Sequence, residues 1–207
     1  MRRNPTGKAR GVSTRTALIL IGHGAPATDC PPQLVGELMS LEWHADAHAA
    51  RVPGTRGEST IPKKVPGARK RADELDAAIR DWPRHAGNDP YKAGLERVAE
   101  TLRSLVPTEL FAIGYNEFCR PSIAEAIERV IRQGATRVLV IPSMLTPGGL
   151  HSEVDIPRAL EVVRRTRPDV AIEYLWPFDT SAVAALLAAH VNRALASSAN
   201  TARTQKR

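Results

Sequence analysis

The sequence has few cysteines, no long apolar run and few aromatic residues. Its two cysteines, Cys30 and Cys119, provide no disulfide framework, which agrees with a reducing, cytoplasmic compartment. The longest apolar run, Ala17–Ile21, is far shorter than the roughly 20 residues of a membrane-spanning helix. It is also too short for the apolar region of a secretory signal, so nothing marks the chain for export.

Positive charge is concentrated at the ends of the chain. Residues 1–15 carry five basic side chains and residues 197–207 carry three, with no acidic residue in either segment. Subtracting these 8 from the 29 lysines and arginines leaves 21 basic against 22 acidic residues in the body. Both tails are predicted to be disordered. Because the body also lacks a basic stripe interleaved with aromatic residues, a nucleic-acid role is not expected.

Short apolar runs alternate with helical patterns along the body of the chain. The runs predict strands at Thr16–Ile21, Glu109–Tyr115, Arg137–Ile141 and Val170–Trp176. Helices are expected at Tyr91–Leu105, Ile123–Gln133, Ile156–Thr166 and Val183–Ala196, with Asp89, Ser122, Asp155 and Asp179 before them. This alternation predicts one α/β domain over residues 16–196, a three-layer fold with a parallel sheet of about four strands flanked by helices.

Residues 25–88 interrupt the alternation and are interpreted as an insertion after the first strand. Helical flanks are expected near Pro32–His48 and Ala68–Asp81, around a basic loop at 51–71. That loop carries seven basic residues against Glu58 alone. It is either a solvated surface loop or a lid that meets an acidic substrate.

Chemically reactive side chains follow the predicted strands. His23 follows the first strand, Glu117 the second, His151 the third and Asp179 the fourth. In open parallel α/β sheets, ligands bind at the carboxyl ends of the strands. Two imidazoles and a carboxylate suit a divalent transition metal, and Gly22, Gly24, Gly148 and Gly149 would let a flat ligand approach the backbone. Each residue also has an ordinary structural interpretation: a surface histidine, a carboxylate paired with Arg120, or glycines in tight turns.

Other histidines and cysteines are weaker candidates. His44 and His48 lie one helical turn apart but lack the glutamate of an HExxH motif, so an exposed helix face is favoured. Cys30 and Cys119 lie near the candidate loops and could be soft ligands, although buried apolar packing is the default for cysteine.

Several motifs together resemble the type II chelatase family, the sirohydrochlorin cobaltochelatases and ferrochelatases of CbiX and SirB type. They are a strand followed by GHG, the segment NEF-x-x-PSIAEAI, the segment GATRVLVIP, and a histidine four residues before DIP. The resemblance covers the first strand and roughly residues 109–160. Asp155, the aspartate of DIP, is interpreted mainly as a helix cap.

The resemblance implies insertion of a divalent metal, Co²⁺ first and Fe²⁺ or Ni²⁺ as alternatives, into a sirohydrochlorin-like tetrapyrrole. It implies that His23, Glu117 and His151 hold the metal and help to remove the pyrrole protons, with no organic cofactor. Arg120, Arg158 and the basic loop are the expected partners of the substrate carboxylates. A homodimer is also expected, because the short single-module relatives pair. A metal or tetrapyrrole carrier and a metal-dependent hydrolase remain alternatives on the same fold.

Overall fold

The computed structural model describes the backbone of residues 14–49 and 67–204, and side chains within these ranges up to residue 42 and from 67 to 197. Most of the predicted 1–15 tail and the greater part of the basic loop, residues 51–66, lie outside it. The described strands are β1 (Thr16–Gly22), β2 (Leu110–Tyr115), β3 (Arg137–Pro142) and β4 (Ala171–Tyr174). The helices are α1 (Pro32–Ala49), α2 (Ala68–Arg80), α3 (Pro90–Leu105), α4 (Ile123–Arg132), α5 (Ile156–Thr166) and α6 (Thr180–Thr204).

The four strands form one parallel sheet in the order β2-β1-β3-β4. Leu18, in the middle of β1, lies opposite Phe111 of β2 on one side and Leu139 of β3 on the other. All strands run in the same direction, so their carboxyl ends share one edge of the sheet. The predicted α/β fold with a four-stranded parallel sheet is confirmed.

Alternate side chains of β1 enter different layers of the core. Ala17, Ile19 and Ile21 are fully buried in the cluster formed with α4 and α5. Leu20 points to the opposite face and packs with α3. Burial of β1 on both faces explains its nearly continuous apolar sequence, and it gives the three predicted layers.

Local sequence signals set the starts of two helices. The Asp89 side chain accepts a hydrogen bond from the Lys92 amide at 2.9 Å, before Pro90 opens α3. Ser122 and Glu125 form the predicted capping box at the start of α4. These caps satisfy backbone amides that have no partner within the helix.

The insertion contributes two helices that pack together. Leu38 of α1 and Leu75 and Ile79 of α2 share a buried cluster with Phe118, which follows β2. The basic loop was predicted to run to residue 71, but residues 68–71 already belong to α2, so the loop ends earlier. Arg71 forms a two-pronged ion pair with Glu37, at 2.7 and 2.9 Å.

The chain ends are more ordered than predicted at two points. Arg15, assigned to the basic tail, donates hydrogen bonds to the Gln133 carbonyl and to Thr136. Helix α6 continues to Thr204, although the sequence was expected to be disordered from residue 197. Its sequence is rich in alanine and has neither glycine nor proline, so nothing local ends the helix earlier. Among the described helices, none is both long and apolar enough to cross a membrane.

Candidate metal centre

Three strand ends bring one carboxylate and two imidazoles together. His23 follows β1, Glu117 follows β2 and the His151 segment follows β3, and these strands are neighbours in the sheet. One ligand atom from each side chain lies within 4.8 Å of the other two. It is the only such set of three that the described side chains form. The predicted convergence of these residues is therefore present in the structure.

His23 is held so that one ring nitrogen stays available. Its backbone amide donates a hydrogen bond to the Tyr91 hydroxyl at 2.7 Å. Its Nδ1 lies 2.7 Å from the Gly24 carbonyl oxygen, which can only accept, so Nδ1 carries the proton. The lone pair of the neutral ring is then on Nε2, which lies 4.0 Å from Glu117 Oε2. The side chain as a whole is 40% exposed.

The loop that carries Glu117 is fixed against the His23 loop. The Glu117 amide donates to the His23 carbonyl at 2.9 Å. Gly24 has φ +91°, and a Cβ there would lie 1.9 Å from the Glu117 carbonyl oxygen. Only glycine permits this approach, so the second glycine of GHG brings the two loops together. The carboxylate itself is 32% exposed.

His151 lies in a π-helical turn, His151–Asp155, that leads directly into α5. Its Nδ1 lies 2.8 Å from Asp155 Oδ2, 2.9 Å from Asn116 Nδ2 and 3.6 Å from Glu117 Oε1. One nitrogen cannot donate to Asp155 and accept from Asn116 at the same time. When Nδ1–H donates to Asp155, the lone pair is on Nε2, as in the carboxylate–histidine pairs of many metal sites. The His23 and His151 rings meet nearly perpendicularly, with centroids 4.5 Å apart.

The interpretation of Asp155 as a helix cap is wrong. Its backbone is already helical and its side chain makes no capping hydrogen bond, because the π-helical turn precedes α5 without a break. The carboxylate contacts His151 one turn earlier instead. The four-residue spacing in HSEVD was the available signal, since residues i and i+4 share a helix face.

Two arginines, Arg80 at the end of α2 and Arg84 four residues later, hold the Glu117 loop. Arg80 donates to the carbonyls of Asn116 at 3.0 Å and Cys119 at 3.1 Å. Arg84 donates to the Phe118 and Ala25 carbonyls and pairs with Asp89, and the two charged side chains are only 7% and 2% exposed. The sequence did not single out these arginines, because their contacts with the Glu117 loop are to backbone oxygens distant in the chain.

The glycines predicted to bind substrate separate into two groups. A Cβ on Gly22 would lie 2.3 Å from the Leu95 side chain, so Gly22, like Gly24, faces protein. Gly148 and Gly149 border open space, and Gly148 has φ +88°. Substrate contact by these glycines stays a prediction.

The predicted arginines are exposed but differ in their partners. Arg120 forms ion pairs with Asp81 and Glu125, so two carboxylates already offset its charge and it does not pair with Glu117. Arg158 is exposed on α5. Of the two, Arg158 is the better candidate to meet a substrate carboxylate, because no carboxylate of the described residues pairs with it, and that contact also stays a prediction.

Comparison with known families identifies the chain. The CbiX family profile matches residues 87–194, which is more than half of the sequence. The chain belongs to the CbiX family. Its curated relatives include a sirohydrochlorin cobaltochelatase from Methanocaldococcus jannaschii, 36% identical over 80 residues that make up 38% of this chain and 55% of the relative. A sirohydrochlorin ferrochelatase from Priestia megaterium is 33% identical over 92 residues, 44% of this chain and 33% of the relative.

The matched regions are partial, since this CbiX-family chain spans about half the length of the first curated relatives it matches. A solved CbiX protein from Marinobacter aquaeolei is 17% identical, with a TM-score of 0.45 over 86% of this chain and 98% of that one.

Other titratable residues of this CbiX-family chain have structural roles. Cys30 and Cys119 are free and buried, and burial raises the pKa of both thiols, which disfavours the metal-binding thiolate. Asp179 accepts hydrogen bonds from the Ser181 amide and hydroxyl at the start of α6, and these lower the pKa of its carboxyl. The side chains of His44 and His48 lie outside the described residues.

Proposed function

We propose that this chain is a chelatase that inserts a divalent metal into a sirohydrochlorin-like tetrapyrrole. The observation that carries the proposal is the group of His23, Glu117 and His151 at the carboxyl edge of the sheet. Imidazole and carboxylate together suit Co²⁺, Fe²⁺ and Ni²⁺, and Co²⁺ is the first choice. The names of the curated relatives, cobaltochelatases and a ferrochelatase of sirohydrochlorin, support the reaction and the choice of Co²⁺ and Fe²⁺.

In this mechanism the metal first binds the two histidines. The hydrogen bonds of Nδ1 to the Gly24 carbonyl in His23, and to Asp155 in His151, leave both Nε2 atoms to coordinate the ion. The Glu117 carboxylate lies within 4.0 Å of both rings and can supply a third ligand atom. Part of each of the three side chains is exposed, so the ion stays accessible to an incoming macrocycle.

Metal insertion must release two protons. The free macrocycle carries two pyrrole N–H groups, and the product contains the divalent metal bound to both deprotonated nitrogens. Glu117 leaves the metal and accepts one proton, and a histidine released from the metal accepts the other. Both protons pass to solvent, so the balance is M²⁺ and the free macrocycle giving the metallated macrocycle and two H⁺.

The substrate carboxylates need cationic partners on the protein. Arg158 and the 51–66 segment are the proposed cationic partners of the carboxylates.

A homodimer remains a prediction, and sedimentation velocity at micromolar protein tests it, with a fully active monomer as the contrary result. A cytoplasmic location is also a prediction, and it rests on the low cysteine content.

The direct test is anaerobic incubation of the purified protein with sirohydrochlorin and Co²⁺, Fe²⁺ or Ni²⁺, followed by absorbance. The expected result is conversion of many molecules of sirohydrochlorin per protein molecule, faster than the uncatalysed reaction with at least one metal. Tight binding of metal and tetrapyrrole without turnover would instead make the protein a carrier. Binding of neither would overturn the proposal.

A further inference from the structure

Three aromatic side chains cluster where the chain leaves β4. The Tyr174 and Trp176 rings are stacked, with planes 21° apart and centroids separated by 6.4 Å. Phe178 meets Trp176 edge to face at 5.5 Å and 82°. All three side chains are half-buried, so each retains some exposed surface. The whole sequence has three residues each of Phe, Trp and Tyr, so a third of its aromatic residues lie in this cluster.

Hydrogen bonds join the cluster to the segment that carries His151. The Tyr174 hydroxyl donates to the Ser152 carbonyl at 3.0 Å. The indole N–H of Trp176 donates to Glu153 Oε1 at 3.1 Å, and the Gly148 amide donates to the same oxygen. Ser152 and Glu153 directly follow His151 in the π-helical turn, so these bonds fix the aromatic rings relative to the metal-binding histidine.

The order of the strands places the cluster beside the metal centre, on the side away from Glu117. Strands in a sheet are about 4.8 Å apart, and Tyr174 is in register with Val140 of β3 and, through it, with Ile19 of β1, so Tyr174 lies about 10 Å from β1. A tetrapyrrole centred over His23 and His151 would reach across that distance. Leu150, which immediately precedes His151, is 59% exposed and adds apolar surface next to the histidine in the chain.

We propose that Trp176, supported by Tyr174 and Phe178, is a stacking surface for the conjugated ring of the tetrapyrrole. This inference rests on the proposed chelatase function. Aromatic rings held in a fixed orientation bind planar π-systems by stacking, and they require little ordering on binding when neighbouring rings already hold them. Histidines bound to the metal and an indole bound to the ring would then align the macrocycle nitrogens with the ion.

Trp176 could instead act only by holding Glu153 through its indole N–H, without contacting the substrate. Two substitutions separate this role from stacking. Trp176→Leu removes the aromatic face and the N–H donor, whereas Trp176→Phe keeps an aromatic face and loses only the donor. Trp82→Phe is the matched control, because the Trp82 indole likewise donates to a carboxylate, Asp29, but packs in the α1–α2 cluster.

The experiment titrates the full-length protein with metal-free sirohydrochlorin, followed by the absorbance of the ligand, and separately with Co²⁺ alone. Trp176→Leu is expected to weaken sirohydrochlorin binding about tenfold and to raise KM with little change in kcat. Trp176→Phe and Trp82→Phe are expected to bind sirohydrochlorin within about twofold of wild type, and all three variants should bind Co²⁺ normally.

Three results would overturn the inference. Unchanged sirohydrochlorin binding by Trp176→Leu would exclude stacking. Loss of Co²⁺ affinity in both Trp176 variants would assign the residue to positioning of the His151 turn. A wild-type protein that binds Co²⁺ but no sirohydrochlorin would overturn the proposed function itself, and the stacking surface with it. If Trp176→Leu does not fold, Phe178→Leu replaces it, with a smaller weakening of sirohydrochlorin binding expected and unchanged binding as the contrary result.

Discussion

At the residue scale, hydrogen bonds to the two rings decide which nitrogens can bind a metal. His23→Ala and His151→Ala each remove one of the proposed ligands, so each is expected to abolish metal insertion. Both rings are partly exposed, at 40% and 25%, so stability should change by only about 1 kcal/mol or less. Insertion rates and thermal melts check this, with His85→Ala, an exposed imidazole that contacts the Gly87 amide, as the control. Near wild-type turnover in either variant would remove that residue from the site.

Glu117 has two proposed roles that one substitution can separate. Glu117→Gln keeps the shape and one oxygen but cannot accept a proton, so turnover is expected to fall by about a hundredfold. Co²⁺ affinity should fall much less, because both histidines remain. Titration with Co²⁺ and rate measurements at saturating metal compare the two effects. Weak Co²⁺ binding with normal turnover at saturation would make Glu117 a ligand and not a base.

In the proposed tautomer of His151, Nδ1–H donates a hydrogen bond to Asp155, which orients the ring. Asp155→Asn weakens that bond and no longer favours the tautomer with a free Nε2, so Co²⁺ affinity is expected to fall about 10- to 100-fold. Glu161→Gln, which removes an exposed ion pair on α5, is the matched control and should bind Co²⁺ normally. Equal Co²⁺ affinity of Asp155→Asn and wild type would show that the contact does not act on the metal site.

The sequence predicted the three central residues of the site but not those that orient them. His23, Glu117 and His151 follow apolar strands, and strand ends in a parallel sheet converge by geometry. The four-residue spacing of His151 and Asp155 was a signal for their contact, but the π-helical turn that carries it has no sequence pattern of its own here. Asn116 was visible only as part of the NEF motif, because its contact with His151 crosses from one loop to another.

At the element scale, the insertion supports the site through the end of α2. Arg80 donates to two carbonyls of the loop that holds Asn116 and Glu117. A hydrogen bond from a charged donor contributes about 1.5–3 kcal/mol. Arg80→Met should therefore lower the free energy of unfolding by at least the value of one such bond, about 1.5–3 kcal/mol. A loosened loop is also expected to lower kcat about tenfold when it is measured well below the melting temperature.

The control for Arg80→Met is Arg165→Met. Both arginines pair with an acidic residue four positions earlier on a helix, but Arg165 is exposed on α5 and is not part of the Glu117 loop. The control should keep wild-type kcat. A fully active Arg80→Met protein would show that the Glu117 loop keeps its conformation without α2.

Element boundaries were predicted where local chemistry sets them. The capping box at Ser122 and the Asp89–Pro90 start are sequence signals with a direct physical cause, and the observed helices begin there. The predicted end of α6 was wrong, because an alanine-rich segment with small polar residues is compatible with either helix or disorder. The contact of α2 with the Glu117 loop could not be predicted. Its acceptors are backbone carbonyls, which every residue has, so the sequence does not mark them.

At the scale of the whole molecule, the fold places every proposed ligand at one edge of one sheet. The alternation of strands and helices predicted a parallel sheet but not its strand order. The order β2-β1-β3-β4 brings Glu117, His23 and His151 into neighbouring positions, with the aromatic cluster of β4 beside them. We therefore propose that one divalent metal binds where the first three strands of that order end.

Anomalous X-ray diffraction from crystals containing Co²⁺, recorded on both sides of the cobalt absorption edge, tests this claim most directly. A strong cobalt peak is expected about 2.0–2.2 Å from the Nε2 atoms of His23 and His151, and within reach of the Glu117 carboxylate. The same peak should be absent from His151→Ala crystals. A cobalt peak elsewhere, such as at His44 and His48, with none among these three side chains, would contradict it.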